Sequence, residues 1–216
     1  MRKARLFLWF AAATAIAVYG ALNIYQRGTV PRTGDDERQK TAEQVAREIV
    51  TGEFDLVGSD LEAVSDTDFR GNWLLVFFGF THCPDVCPTT LGTIALIMDE
   101  LGPEAERMQP VFITVDPERD TPEVIGSYVA AFHPKIVGLT GTEQQIAAAA
   151  KSYRAYYARI PLRDGDGSAD DYTMDHSAHI YLIDPDGIYA TVFSPADPIG
   201  TILKTLRARM AAQAEN

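Results

Sequence analysis

Only two cysteines occur in the 216 residues, Cys83 and Cys87, and three residues separate them. That scarcity excludes the disulfide framework of a small secreted scaffold. A bridge across so short a loop removes little unfolded-state entropy, so a purely structural staple is a poor use of this pair. Basic residues are also few: 19 Lys and Arg stand against 30 Asp and Glu, a net charge of −11. Such a chain repels phosphate backbones, which argues against nucleic acid as a partner. Acidity suits solubility and steering toward cations or basic protein patches. Histidine is confined to four positions, His82, His133, His176 and His179. No internal repeat is visible, so a repeat architecture is excluded.

Charge is absent altogether from Leu6 to Tyr25. Twenty residues of helix measure about 30 Å, the thickness of a bilayer core. Arg2, Lys3 and Arg5 precede the run, so the positive-inside rule leaves the N-terminus in the cytoplasm and the rest of the chain outside. A cleaved signal peptide competes, because Ala11–Ala13 and Ala15–Ala17 offer small-residue sites. The run is longer than a usual signal core, however, and Trp9, Tyr19 and Tyr25 suit interfacial anchoring, so an uncleaved anchor is favoured. The expected organisation is a cytoplasmic N-terminus and transmembrane anchor over 1–25, a polar linker over 26–50 and a globular domain over 51–212. A short helix is expected from Thr41 to Val50.

The whole chain is 46% hydrophobic and 23% charged, a composition that supports a sizeable core. Phe54–Val57 and the turn Gly58–Asp60 suggest a small opening hairpin. Asn72–Phe80 is a near-continuous apolar run, the mark of a strand buried on both faces. Leu91, Ile94, Ala95, Met98 and Leu101 recur at helical spacing and predict a helix over 89–101, ended by Gly102-Pro103. Val111–Val115 is a second buried strand, and Asp120-Thr121-Pro122-Glu123 a helix start. A short strand over 136–139, a helix over 142–153 and an extended stretch over 156–162 come next. Arg163–Asp171 reads as an exposed loop. Asp184-Pro185-Asp186-Gly187 between apolar runs predicts a hairpin, and a last helix opens at Asp197-Pro198. Alternating strands and helices imply an α/β fold, a central mixed sheet flanked by helices. A dithiol that ends the first buried strand and opens the next helix is the thioredoxin-like arrangement.

Pro88 suits the first helical position, which places Cys87 at the N-cap. Two thiols at a helix N-terminus lie in a positive local field that favours thiolate. The extra residue, relative to a two-residue spacing, widens the loop so that both sulfurs can face one ion. Soft thiolates select Cu(I), zinc or iron–sulfur chemistry, and two of them require a third ligand from elsewhere. His82 adjoins Cys83, and neighbouring residues rarely reach the same ion. His133 reads as a surface helix end. His176 and His179 are three apart and face opposite sides of an extended chain, so one of them alone can point at the dithiol. Spacing does not choose between them.

Three stretches together resemble the Sco/SenC proteins: Gly79–Thr89, Val115–Thr121, and Asp175-His176-Ser177 followed by Tyr181–Gly187. The resemblance covers roughly residues 51–210. It implies a membrane-anchored, thioredoxin-like copper chaperone for the CuA centre of cytochrome c oxidase, with copper held by Cys83, Cys87 and His176. It thereby selects His176 over His179, where relatives are expected to carry an apolar or small residue. Two thiolates and one imidazole suit Cu(I), and Cu(II) requires an added oxygen or nitrogen ligand. Asp116 and Asp175 are candidates to orient the ligands; Asp116 reads equally well as a turn or cap residue, and Asp175 as a backbone partner. Met174 is a soft donor near the site, although scattered methionines here read mostly as core. The implied partner is oxidase subunit II, with other copper chaperones or thioredoxin-like reductants besides. The implied location is the inner membrane, with the domain in the periplasm or the intermembrane space. The alternative function is enzymatic, a thiol-disulfide oxidoreductase that keeps the CuA cysteines reduced; a peroxiredoxin-like peroxidase is weaker still.

Overall fold

The computed structural model describes Tyr19, Val45, Ala46, residues 48–162 and residues 172–214. The chain divides into two units, Met1–Ala42 and Glu43–Asn216, and the sheet and helices belong to the second. The expected anchor and linker lie almost wholly outside the described residues, as does the expected loop over 163–171. No helix among the described residues is long and apolar enough to cross a membrane.

A seven-stranded sheet forms the centre, in the order β2-β1-β5-β4-β3-β8-β9. Its strands are β1 (Asp55–Gly58), β2 (Ala63–Ser65), β3 (Trp73–Gly79), β4 (Met108–Thr114), β5 (Val137–Thr140), β8 (Ile180–Ile183) and β9 (Tyr189–Phe193). β3, β4 and β5 run parallel, while β1 and β8 pair antiparallel to β5 and β3. The sheet is therefore mixed, with the terminal hairpin adding antiparallel strands to the alternating elements as expected. Helices α1 (Val86–Leu101), α2 (Pro122–Ala130), α3 (Glu143–Ser152) and α4 (Ile199–Ala214) supply its cover. All seven residues of β3 are buried, so the apolar run before the cysteines is the central strand. Phe77 sits opposite Phe112 in the β3–β4 register, and their rings are 5.8 Å apart.

Local chemistry explains the joints. Gly187, at φ +80°, closes the β8–β9 hairpin while Asp184 accepts from the backbone N–H groups of Asp186 and Ile188. Thr121, the residue before Pro122, caps α2: its hydroxyl accepts from Val124 N–H. Thr142 and Gln145 form a reciprocal capping box at α3. β4 begins three residues earlier than its apolar core suggested, because Met108 to Pro110 stay in register with Trp73 to Leu75.

A second, two-stranded sheet was not foreseen in full. β6 (Tyr157–Pro161) matches the expected extended stretch, but its partner β7 (Tyr172–His176) follows the expected loop where no strand is predicted. Tyr172, Met174 and His176 alternate on the inward face of β7, while Asp175 is exposed on the other. Five residues after a Gly/Asp-rich stretch carry too little apolar period to announce a strand by themselves.

Leu75 is fully buried in β3 and is not one of the three converging donors. Leu75→Ala should cost about 2–5 kcal/mol through lost transfer energy and a residual cavity, measured by urea unfolding. A cost below about 1 kcal/mol would contradict the placement of β3 at the centre of the core.

Candidate metal centre

The site forms where β3 and β4 end, the edge at which parallel sheets place their ligands. Gly79 closes β3, and a Cβ there would lie 2.8 Å from Cys87 Sγ and 2.8 Å from the Phe112 ring. Glycine is required because the sulfur packs onto the strand backbone. The chain then turns, with Cys83 N–H donating to the Phe80 carbonyl at 3.3 Å, and enters α1.

That helix starts earlier than the proline suggested. Its N-cap is Asp85, Cys87 lies within the first turn, and Pro88 follows it there. Proline fits anywhere in this turn because its missing N–H would have had no helical partner. The free N–H of Cys87 instead donates to Cys83 Sγ at 3.4 Å.

His176 comes from β7. Its Nε2 lies 3.4 Å from Cys87 Sγ, and its Nδ1 donates to the Ser177 carbonyl at 3.2 Å. A carbonyl only accepts, so the proton sits on Nδ1 and the Nε2 lone pair faces the sulfur. Phe77 and Phe80 pack against the ring, at 6.1 and 5.8 Å between centroids, and hold its plane. The sulfurs of Cys83 and Cys87 and a nitrogen of His176 all lie within 4.8 Å of one another. Two sulfurs and one nitrogen make a soft donor set suited to a thiophilic ion.

The electrostatics differ from the expectation of a pair of ready thiolates. Burial pushes the Cys87 thiol well above its ordinary pKa, and the neighbouring Cys83 and Asp120 push it further. A hydrogen bond to the Phe80 backbone opposes them and is outweighed. Desolvation thus overrides the helix N-terminus at this position, and Cys87 holds its proton at neutral pH. Burial lowers the His176 pKa, against the Ser177 carbonyl, the Asp175 charge and the Phe78 backbone. A neutral imidazole beside a protonated thiol gives an S–H···N pair, with a proton held where a metal would otherwise sit.

Asp116 is buried and committed elsewhere: it accepts from Tyr172 Oη at 2.7 Å and from Arg119 Nε at 2.5 Å. Arg119 Nη1 also donates to the Tyr172 carbonyl, so this group clamps the start of the strand that carries His176. Asp175 faces away from His176 and acts on it through charge. Met174 shares the inward face of β7 and lines a cavity of about 430 Å³ with Asp116, Tyr157 and Arg159. His179 is exposed, and His133 accepts from Lys135 N–H at 3.1 Å, so neither joins the group.

Sequence reasoning missed Asp120. Its carboxylate, buried beneath the loop, accepts from Thr81 N–H at 3.0 Å, Thr81 Oγ1 at 2.5 Å and Thr114 Oγ1 at 2.6 Å. It ties the residues just before Cys83 to the end of β4. The available signal was that Thr121 suffices as the helix cap, which leaves the carboxylate of Asp120 free for another duty.

Comparison with known proteins gives the family and the fold. The SCO1/SenC family model matches residues 42–211. The bovine protein "SCO2 homolog, mitochondrial" is 42% identical over 188 residues, 86% of this chain and 68% of that protein. The crystal structure of Arabidopsis thaliana ScoI with copper bound is 35% identical and covers 76% of this chain and 99% of its own, with a TM-score of 0.69. Bradyrhizobium japonicum ScoI with copper bound is 40% identical, covering 74% and 98%, with a TM-score of 0.65.

Removing the buried carboxylate should loosen the cysteine loop from beneath. Asp120→Ala strands the Thr81 and Thr114 donors and should destabilise the protein by about 2–3 kcal/mol. Hydrogen exchange at the Thr81 amide should quicken in the same variant. Unchanged protection of that amide would show that the loop is held by something else.

Proposed function

We propose that this chain, which belongs to the SCO1/SenC family, is a membrane-anchored copper-binding chaperone that delivers copper to the CuA site of cytochrome c oxidase subunit II. The observation that carries the reading is the convergence of Cys83, Cys87 and His176, from a loop, a helix and a separate hairpin, to within 4.8 Å. Relatives similar to this chain at 35% and 40% identity have been solved with copper bound. Two thiolates and one imidazole satisfy Cu(I), and Cu(II) is accepted with a further oxygen or nitrogen ligand. Asp116 acts indirectly, by fixing Tyr172 at the start of β7, and Asp175 by its charge on the ring.

Residues 1–25 act as the anchor and 26–50 as the tether, with the copper-binding domain over 51–212 facing the periplasm, or the intermembrane space in a mitochondrion. Uptake at this site releases the Cys87 proton, because that thiol is protonated before the ion arrives. The same proton provides a means of release, since reprotonation favours the free site. A second reading has its own support: both cysteines are free and their sulfurs close, so the pair is also suited to reducing the CuA cysteines of the partner by disulfide exchange. Cu(I) binding and reduction both need the dithiol form.

Two measurements test the proposal. His176→Ala should weaken copper retention by more than the roughly 10–100-fold typical of losing a ligand's hydrogen-bond partner, while disulfide exchange with a CuA-domain peptide persists. Retention equal to the wild type would refute the three-ligand site. Copper affinity should also climb with pH, about tenfold per unit for each proton released, because Cys87 titrates above neutrality. Acidification below the lowered pKa of His176 should weaken binding further by protonating Nε2. An affinity flat from pH 6 to 8 would contradict proton-coupled uptake.

A further inference from the structure

His82 has no part in the three-ligand group, yet its surroundings are built. The side chain is 55% exposed and stands immediately before Cys83, on the turn closed by the Cys83–Phe80 hydrogen bond. Beneath it, Thr81 Oγ1 donates to Asp120 Oδ1 at 2.5 Å, which spends the hydroxyl proton. The same oxygen lies 3.2 Å from His82 Nδ1, and with its proton spent it accepts there. Nδ1 therefore carries the hydrogen and Nε2 keeps its lone pair. A buried carboxylate, a hydroxyl and an imidazole form a relay, the kind of support that fixes the tautomer and orientation of a metal-binding histidine.

Access supplies the second observation. Cys87 is fully buried, Cys83 and His176 are half-buried, and the His82 ring is the most open donor of the four. An ion arriving from solvent cannot meet Cys87 first. Ligand exchange at soft ions proceeds by adding one donor before another leaves, so an open imidazole beside the outer cysteine is placed to make the first bond.

We propose that His82 Nε2 is a transient ligand through which Cu(I) enters and leaves the site. This rests on the reading that Cys83, Cys87 and His176 hold the ion. In the forward direction a ligand of the copper donor departs as Nε2 binds. The Cys83 sulfur then displaces Nε2, and thiol protons pass to the buffer. Copper remains Cu(I) throughout, so no oxidant or reductant is involved. Thr81 and Asp120 position the ring for this role.

The test compares reduced full-length wild type with His82→Gln and Thr81→Val, without oxygen. Cu(I) is supplied as its bicinchoninate complex and followed by stopped-flow absorbance, with removal by excess bicinchoninate as the reverse reaction. His82→Gln should slow loading and removal alike, by about tenfold, with equilibrium affinity and thermal midpoint unchanged. A group bound only along the path alters both directions equally and leaves the equilibrium constant alone. Thr81→Val, which keeps the ring but removes its acceptor, should slow both by less. Unchanged rates in His82→Gln overturn the proposal. A fall in equilibrium affinity, with a nitrogen neighbour lost by X-ray absorption, also overturns it, since His82 would then be a resident ligand. A wild type that takes up no Cu(I) overturns the three-ligand reading itself, and this inference with it.

Discussion

The contact between Cys87 Sγ and His176 Nε2, 3.4 Å long, joins residues 89 apart in the chain. Every other feature of the site serves to hold or tune that contact. On one side, the absence of a side chain at Gly79 lets the sulfur rest against the end of β3. On the other, Asp116, Arg119 and Tyr172 clamp the start of β7, and the Ser177 carbonyl orients the ring. The two halves are independent pieces of backbone. A small displacement of either would separate the donors, because the donor atoms span less than 5 Å in all.

Burial gives the site its chemical character. A helix N-terminus stabilises a thiolate, but its influence falls off within a turn and is modest beside the cost of charging a buried sulfur. Cys87 is fully buried and also faces the Asp120 charge, so its proton stays on. The imidazole is held neutral by the same desolvation. Cys87 and His176 thus form a neutral hydrogen-bonded pair beside Phe77, Phe80 and Phe112. A soft cation in place of the proton makes the thiolate state favourable there.

The surroundings divide into a rigid and an open side. β3 and β4 are buried and closely registered beneath the sulfurs. Asp120 extends that rigidity upward by binding Thr81, immediately before the turn that carries His82 and Cys83. The outer edge is different in kind: His82 is exposed and Cys83 is half-buried. Exposure thus rises from the fully buried Cys87 through the half-buried Cys83 to the open ring of His82.

The sequence by itself determined the sheet-and-helix order, the central apolar strand ending at the cysteines, the late hairpin at Asp184–Gly187 and the family motifs. These are local signals, carried by runs of neighbouring residues whose period or turn chemistry is legible without a partner. The start of α1 was displaced by two residues because proline is compatible with any position in a first turn. β7 was missed because a short polar strand is stabilised by its partner β6 and not by its own composition. The protonation of Cys87, the commitment of Asp116 to Tyr172 and the placement of Asp120 under Thr81 were decided by the tertiary structure alone. Each depends on which groups the fold buries side by side, and desolvation and hydrogen bonding act between atoms in space rather than between residues in order.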